Sequence, residues 1–107
     1  MNWINLTNMP VLDIIKQDSF HNPQFIFKHS TRCSISKMVL SRFESTYDTA
    51  SFSVYLLDLL NYRDLSNQIE DDFNVKHESP QLLVINKGEC NLCSSHTNIN
   101  QINIADL

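Results

Sequence analysis

The sequence has very little glycine and few cysteines, and each scarcity excludes a class of protein. Its single glycine, Gly88, rules out the glycine-rich loops that cradle nucleotide phosphates, so nucleotide-binding enzymes of that type are excluded. Three cysteines are an odd and small number for a chain of 107 residues, which argues against a disulfide framework. We therefore expect thiol chemistry rather than disulfide cross-links.

Strong charge and long apolar runs are also missing. The formal net charge is -4 with interspersed signs, so the chain offers no basic face for nucleic acid and no polybasic anchor for a membrane. No apolar run approaches the roughly 20 residues that span a bilayer, and residues 1–9 lack the blocks of a secretory signal. We expect a cytoplasmic protein that binds neither nucleic acid nor membrane. The length predicts one domain over residues 1–107.

Short apolar runs alternate with segments of helical periodicity. The predicted strands lie at 3–6, 24–29, 51–57, 82–85 and 89–93, and Asn86–Gly88 forms the turn of a hairpin. The order β-α-β-α-β-α-β-β-α predicts parallel crossovers and a closing antiparallel hairpin. The fold class is therefore α/β, with a central mixed sheet flanked by helices on both faces, as in the thioredoxin-like layout.

The periodicity also predicts which helical residues are buried. The first helix begins near Pro10, the second follows Cys33 and ends near Tyr47, and the third contains Tyr62 to Phe73. A loop covers Ser94–Thr97, ahead of a short terminal helix. The expected buried positions are Val11, Ile14 and Ile15 in the first helix, Ile35, Met38, Val39, Arg42 and Phe43 in the second, and Ile99, Ile102, Ile104 and Ala105 in the last.

Cys33 is the candidate nucleophile. It lies where the apolar strand that begins near Phe25 runs through a polar turn into an amphipathic helix. Unpaired N–H groups and the helix dipole favour negative charge at a helix start, which favours the reactive thiolate. Arg32 would add a positive charge if it points the same way. The alternative is an inert buried thiol, as cysteines often are.

Four segments together carry a resemblance to a known family. They are Lys28-His-Ser-Thr-Arg-Cys33-Ser-Ile-Ser36, Leu65-Ser-Asn67, Val75-Lys-His-Glu-Ser-Pro80-Gln81 and Ser95-His96. The combination resembles the monothiol bacilliredoxins, the YtxJ-like general stress proteins of the bacillithiol system. The resemblance implies a thioredoxin-like fold and the removal of bacillithiol from S-bacillithiolated client proteins. Bacillithiol is then a co-substrate, and no cofactor is tightly bound.

The resemblance makes Cys33 the nucleophile of a Cys-x-x-Ser motif. Its surroundings are Thr31, Arg32, Ser34, Ile35 and Ser36. The family usually has proline at the position of Ser34, so we expect a change in the first helical turn and in the rate rather than in the role. Ser36 has no sulfur and cannot resolve a mixed disulfide, which excludes a dithiol mechanism within the motif. Its hydroxyl either donates to the thiolate or is an ordinary polar group.

The resemblance also implies a cis Ser79–Pro80 peptide bond facing Cys33. Such a bond would expose the Ser79 backbone for pairing with an extended substrate. The alternative is a trans proline that opens a strand.

A negatively charged thiol co-substrate would need partners near the nucleophile. Free N–H groups at the start of the last helix, beside Ser95, His96 and Thr97, are candidates to hold its carboxylate. Lys28 and Arg32 are further candidates. The alternatives are a solvated loop histidine and ordinary surface charges.

Cys90 and Cys93, with His96, have a spacing that can suggest zinc. A fourth ligand is missing, and we expect residues 90 and 93 to point to opposite faces of a strand, so no metal site is predicted. Either cysteine is a candidate resolving thiol if its sulfur reaches Cys33.

Two other functions stay open beside the monothiol enzyme. One is a non-catalytic thioredoxin-like interaction module that holds a partner in the groove beside Pro80. The other is a peroxide-responsive protein that forms an internal disulfide from Cys33 to Cys90 or Cys93. The expected partners are bacillithiol and its client proteins, and we expect a monomer.

Overall fold

Strands and helices alternate along the chain in the computed structural model, which describes residues 2–47 and 53–101. This order confirms the predicted succession of elements. The strands are β1 (Asn2–Asn5), β2 (Gln24–His29), β3 (Ser53–Asp58), β4 (Gln81–Asn86) and β5 (Glu89–Ser95). The helices are α1 (Met9–Asp18), α2 (Ser34–Tyr47) and α3 (Arg63–Phe73), and a 3₁₀ helix (His96–Gln101) follows β5.

The five strands form one mixed sheet in the order β1-β3-β2-β4-β5. β3 pairs in parallel with β1 and with β2, whereas β4 is antiparallel to β2 and to β5. Lys28, near the end of β2, pairs with Gln81, the first residue of β4. The turn that follows β2 and the loop that precedes β4 therefore lie at the same end of the two strands.

Helices cover both faces of the sheet, as the alternation predicts. On one face α1 and α3 pack against side chains of the inner strands, and on the other face α2 and the 3₁₀ helix do so. The first layer includes Leu12, Ile15, Ile26, Leu57, Leu65, Ile69, Leu83 and Ile85. The second layer includes Phe25, Phe27, Val39, Phe43, Val54, Leu82, Val84 and Ile99.

The buried faces of the first two helices differ from the prediction. Leu12 and Ile15 bury the inner face of α1, whereas Ile14 is 49% exposed. Leu12 and Ile15 are three residues apart and share one face of the helix, whereas Ile14, two residues from Leu12, points roughly 160° away from it. The helix begins at the Asn8 side chain, which accepts the Val11 N–H at 3.0 Å.

In α2 the inner face is narrower than predicted. Val39 and Phe43 are fully buried, but Ile35 and Met38 are 50% and 38% exposed, and Arg42 also lies at the surface. The inner face of α2 runs through Ser36, Val39 and Phe43 at helical spacing, and the side chains next to them in sequence, including Ile35 and Met38, are turned away from it.

The β4–β5 turn uses the only glycine as predicted. Lys87 and Gly88 have φ of 54° and 78°, a left-handed pair that suits a two-residue hairpin. Buried Ser19, just after α1, holds this turn: its carbonyl accepts the Lys87 N–H and its Oγ accepts the Gly88 N–H, both at 2.9 Å.

The end of the described chain corrects one boundary. Ser94 and Ser95 belong to β5 and His96 begins the 3₁₀ helix, so the predicted loop at 94–97 does not occur. The positions 102, 104 and 105 of the predicted terminal helix lie outside the described residues. Within residues 2–47 and 53–101, no helix combines the length and apolar character needed to cross a bilayer.

Candidate active site

Cys33 lies in the turn between β2 and α2, immediately before the first helical residue. Its N–H donates to the Ser30 carbonyl at 3.2 Å, and its own carbonyl accepts the Lys37 N–H at 3.1 Å, which places it at the helix start. The residue is partly exposed, with exposed Thr31, Arg32 and Ser34 around it. The position is therefore open to a substrate, unlike that of an inert core thiol.

The hydroxyl of Ser36 is engaged by a histidine. Ser36 is fully buried; its Oγ lies 2.7 Å from His29 Nδ1 and accepts the Ser30 N–H at 3.1 Å. Burial lowers the pKa of His29, and this outweighs the opposite effect of the Asp58 carboxylate. Ser36 Oγ therefore links β2 to the turn, and both of its hydrogen-bond contacts among the described residues are with His29 and Ser30 rather than with Cys33. His29 is absent from the predicted site, although it lies inside the matching motif segment.

The Ser79–Pro80 peptide bond is cis, which excludes the trans alternative. Pro80 is buried, directly precedes β4, and its carbonyl accepts the His96 N–H at 2.9 Å. Within the described part of the chain, Ser79 Oγ and Gln81 Oε1 are buried without a hydrogen-bond partner. The strand register places this loop at the same end of the sheet as the Cys33 turn.

Lys28 is fully buried, which corrects its predicted role as a carboxylate partner at the surface. Its Nζ donates to the Ser66 carbonyl at 3.3 Å and lies 3.4 Å from His77 Nδ1. Burial lowers its pKa from 10.5 to about 8, against the opposite effect of Glu70. Because its amine faces α3 beneath the loop before Pro80, it cannot reach a co-substrate at the surface.

The loop before Pro80 is held at several points. The His77 N–H donates to Glu70 Oε2 at 2.6 Å, and the Gln81 side-chain amide donates to the Lys76 carbonyl at 3.0 Å. Burial and then the nearby Lys28 charge lower the pKa of His77. His77 and Gln81 are not among the predicted site residues, because their contacts join different elements of the fold. The sequence feature that could have pointed to them is the segment Val75–Gln81, which carries part of the family resemblance.

The start of the last helix differs from the predicted carboxylate site. The His96 N–H is occupied by Pro80, and His96 has a left-handed φ of 55° at the start of only six 3₁₀ residues. Ser95 pairs with Gln81, and the side chains of His96 and Thr97 are exposed. Ser95 and His96 thus lie beside the cis-proline, but the helix start is not a cluster of free N–H groups.

Cys90 and Cys93 lie on the same face of β5, which corrects the expected opposite orientation. Cys90 pairs with Ile85 and Cys93 with Leu83, because a bulge leaves Asn91 without a partner between them. Leu83 and Ile85 both face α1 and α3. The cysteines therefore face away from α2, the helix that follows Cys33, and the arrangement does not support a resolving role for either of them.

A partly exposed cysteine at a helix start, at the same end of the sheet as a cis-proline that directly precedes the neighbouring strand, is the arrangement of a thioredoxin-fold protein. A solved structure described as a candidate oxidoreductase with a thioredoxin fold is 30% identical, with a TM-score of 0.83 over 97% of this chain and 91% of that chain. The chain belongs to the monothiol bacilliredoxin family, since the family described as Monothiol bacilliredoxin BrxC matches residues 4–104.

More distant structures share the fold. Mitochondrial thioredoxin 3 from Saccharomyces cerevisiae is 19% identical, with a TM-score of 0.73 over 96% of this chain and 93% of that chain. Thioredoxin from Trypanosoma brucei brucei is 10% identical, with a TM-score of 0.75 over 94% of this chain and 83% of that chain. The family match confirms the resemblance, and with the fold it supports a thiol redox role.

Proposed function

We propose that the protein is a glutaredoxin-like thiol–disulfide oxidoreductase that removes bacillithiol from S-bacillithiolated proteins through Cys33 alone. Two features of the same turn carry the proposal. Cys33 is partly exposed, and the Ser36 hydroxyl is in hydrogen-bond contact with His29. The motif has one sulfur, and its fourth residue is committed to the turn. Such a site exchanges one thiol at a time, and family membership supports bacillithiol as that thiol.

The reaction consists of two exchange steps. The Cys33 thiolate attacks the bacillithiol sulfur of the client's mixed disulfide; the client leaves as a thiolate and takes up a proton, while Cys33 becomes S-bacillithiolated. The thiolate of a second bacillithiol then attacks the bacillithiol sulfur on Cys33. Bacillithiol disulfide leaves and the Cys33 thiolate is regenerated. Each cycle therefore consumes one free bacillithiol, and the other half of the bacillithiol disulfide comes from the adduct on the client.

The cis-proline loop is the proposed binding groove for the client. The loop before Pro80 lies at the same end of the sheet as the Cys33 turn, so an extended client segment that reaches Cys33 would pass the Ser79 backbone. Exposed Ile35 and Met38 on the first turns of α2 offer apolar surface near the same end. Exposed His96, Thr97 and Arg32 are the remaining side-chain candidates to contact bacillithiol.

A cytosolic location belongs to the same proposal, because the exchange needs a reduced pool of bacillithiol. The test uses a purified S-bacillithiolated protein as substrate and follows loss of the bacillithiol adduct by intact mass. We expect Cys33→Ala to abolish the reaction with the fold intact, and Cys93→Ser, which changes an exposed thiol outside the motif, to leave the rate unchanged. Unchanged activity in Cys33→Ala would refute the proposal, and equal rates with a glutathionylated substrate would refute its bacillithiol specificity.

A further inference from the structure

The bulge in β5 brings together a pair of thiols, Cys90 and Cys93, away from Cys33. In a regular strand, residues three apart point to opposite faces. Here Asn91 is the extra residue, so Cys90 and Cys93 occupy the positions opposite Ile85 and Leu83, two residues apart on β4. With a rise of roughly 3.3 Å per residue, that spacing is about 6.6 Å, near the upper end of the range of about 4.4–6.8 Å for the Cα atoms of a disulfide.

The two thiols differ in their access to solvent. Cys93 is exposed on the edge strand, whereas Cys90 is half-buried against the α1 and α3 layer and donates its S–H to the Leu92 carbonyl at 3.2 Å. Burial, followed by the neighbouring Cys93, raises the pKa of Cys90. Cys93 is therefore the thiol that an oxidant meets first, and Cys90 is the inner partner.

We infer that Cys90 and Cys93 form a dithiol site separate from Cys33, which low-molecular-weight disulfides oxidise to an intrastrand disulfide. The Cys93 thiolate attacks one sulfur of the disulfide RSSR, forms a mixed disulfide and releases the first RS⁻. Cys90 loses its proton to solvent, and its thiolate attacks the Cys93 sulfur and displaces the second RS⁻. The two released RS⁻ ions take up protons. Two protein thiols are thereby oxidised, and one RSSR becomes two RSH.

The position of the site makes this disulfide easy to reduce. Its closure must draw two same-face residues together across a bulge, which strains the strand, and strained or exposed disulfides are the ones that thiols reduce readily. The site lies on an edge strand, which among the described residues pairs with β4 and with no second strand. It works independently of Cys33, so it does not rest on the proposed function.

The test uses the full-length Cys33→Ser protein, which retains only these two thiols, and bis(2-hydroxyethyl) disulfide as the probe. We expect intact mass to show the loss of two hydrogen atoms with no retained adduct, and peptide mapping to show the link between residues 90 and 93. Adding Cys90→Ser should leave one stable hydroxyethylthio adduct on Cys93. Adding Cys93→Ser should slow the first reaction several-fold, because the remaining thiol is half-buried.

Other outcomes overturn the inference. A mixed disulfide that persists on Cys93 in the Cys33→Ser protein would show that Cys90 cannot reach it. A disulfide-linked dimer, or no reaction at all, would likewise exclude the site. The wild-type chain gives an independent measurement if the serine variants fold poorly, because the same link is sought in its peptide map after oxidation and alkylation.

Discussion

At the scale of single residues, the active-site turn depends on one hydroxyl. Ser36 Oγ joins His29 on β2 to the Ser30 N–H, so it fixes both sides of the turn that presents Cys33. Both contacts are inside the protein, where a donor or acceptor that loses its partner is costly. The motif's serine is thus best explained as part of the support of the nucleophile.

Ser36→Ala removes that support. We expect the free energy of unfolding to fall by about 1–3 kcal/mol, because the Ser30 N–H and His29 Nδ1 lose their partner. The exchange rate of Cys33 should also fall, since its turn is less well fixed. Urea unfolding and the exchange assay measure the two effects. Ser34→Ala is the matched control at an exposed position of the same turn, and equal losses in both variants would contradict the prediction.

Buried Lys28 predicts a specific pH dependence. Its pKa is about 8 in the folded protein and 10.5 ordinarily, so between these values the unfolded chain holds a proton that the native chain lacks. Wild-type stability should therefore rise with pH in this window relative to Lys28→Met, by at most ~1.4 kcal/mol per pH unit. Below pH 8 the difference is constant. Urea unfolding at several pH values measures the free energy of unfolding of both proteins. If it changes in parallel for wild type and Lys28→Met between pH 8 and 10.5, the prediction is wrong. Lys37→Met, at an exposed position, is the control.

At the scale of elements, the residues at the start of α2 have little intrinsic preference for a helix start, yet hydrogen bonds fix where the helix begins. Ser34 is the first helical residue and is exposed, and the next side chain, Ile35, is half-exposed. The turn is thus held mainly by Ser36 and by the Cys33 backbone bonds to Ser30 and Lys37. A residue that prefers the first helical position should strengthen this element.

Ser34→Pro restores the residue that the family usually has at this position. Proline suits the first residue of a helix, because the N–H it lacks has no partner within the helix, and its fixed φ reduces the freedom of the unfolded chain. We expect a gain of about 0.4–1 kcal/mol in the free energy of unfolding. Thermal and urea unfolding measure it. Ser53→Pro, at the first residue of β3, is a control in which no helix start is involved. A lower free energy of unfolding in Ser34→Pro would contradict the prediction and show that the Ser34 N–H has a structural role.

At the scale of the whole molecule, the sequence predicts the order of elements well and their contacts poorly. Local periodicity records which strands are buried on both sides, so β2 and β4 were found at nearly their true bounds. A bulge leaves no mark in the pattern Cys90-Asn-Leu-Cys93, and a lysine in a motif resembles a surface charge until α3 is seen to cover it. The cis bond before Pro80 was predicted only through the family resemblance.

The expectation of a monomer also belongs to this scale. The two outer strands of the sheet are β1, with four residues, and β5, with its bulge at Asn91. Neither offers a long regular edge to a second copy. We expect a single species of monomer mass in sedimentation equilibrium across a wide concentration range under reducing conditions. A concentration-dependent dimer would contradict this prediction.

The irregular β5 edge has a consequence for behaviour in a crowded cell. Amyloid growth requires strand edges that accept identical strands in unbroken register, and the unpaired residue at Asn91 shifts the hydrogen-bonding groups on either side of it out of phase. A copy that docked beside β5 would lose its alignment after a few residues. The same irregularity that turns two sulfurs to one side therefore also protects the folded protein from templated aggregation.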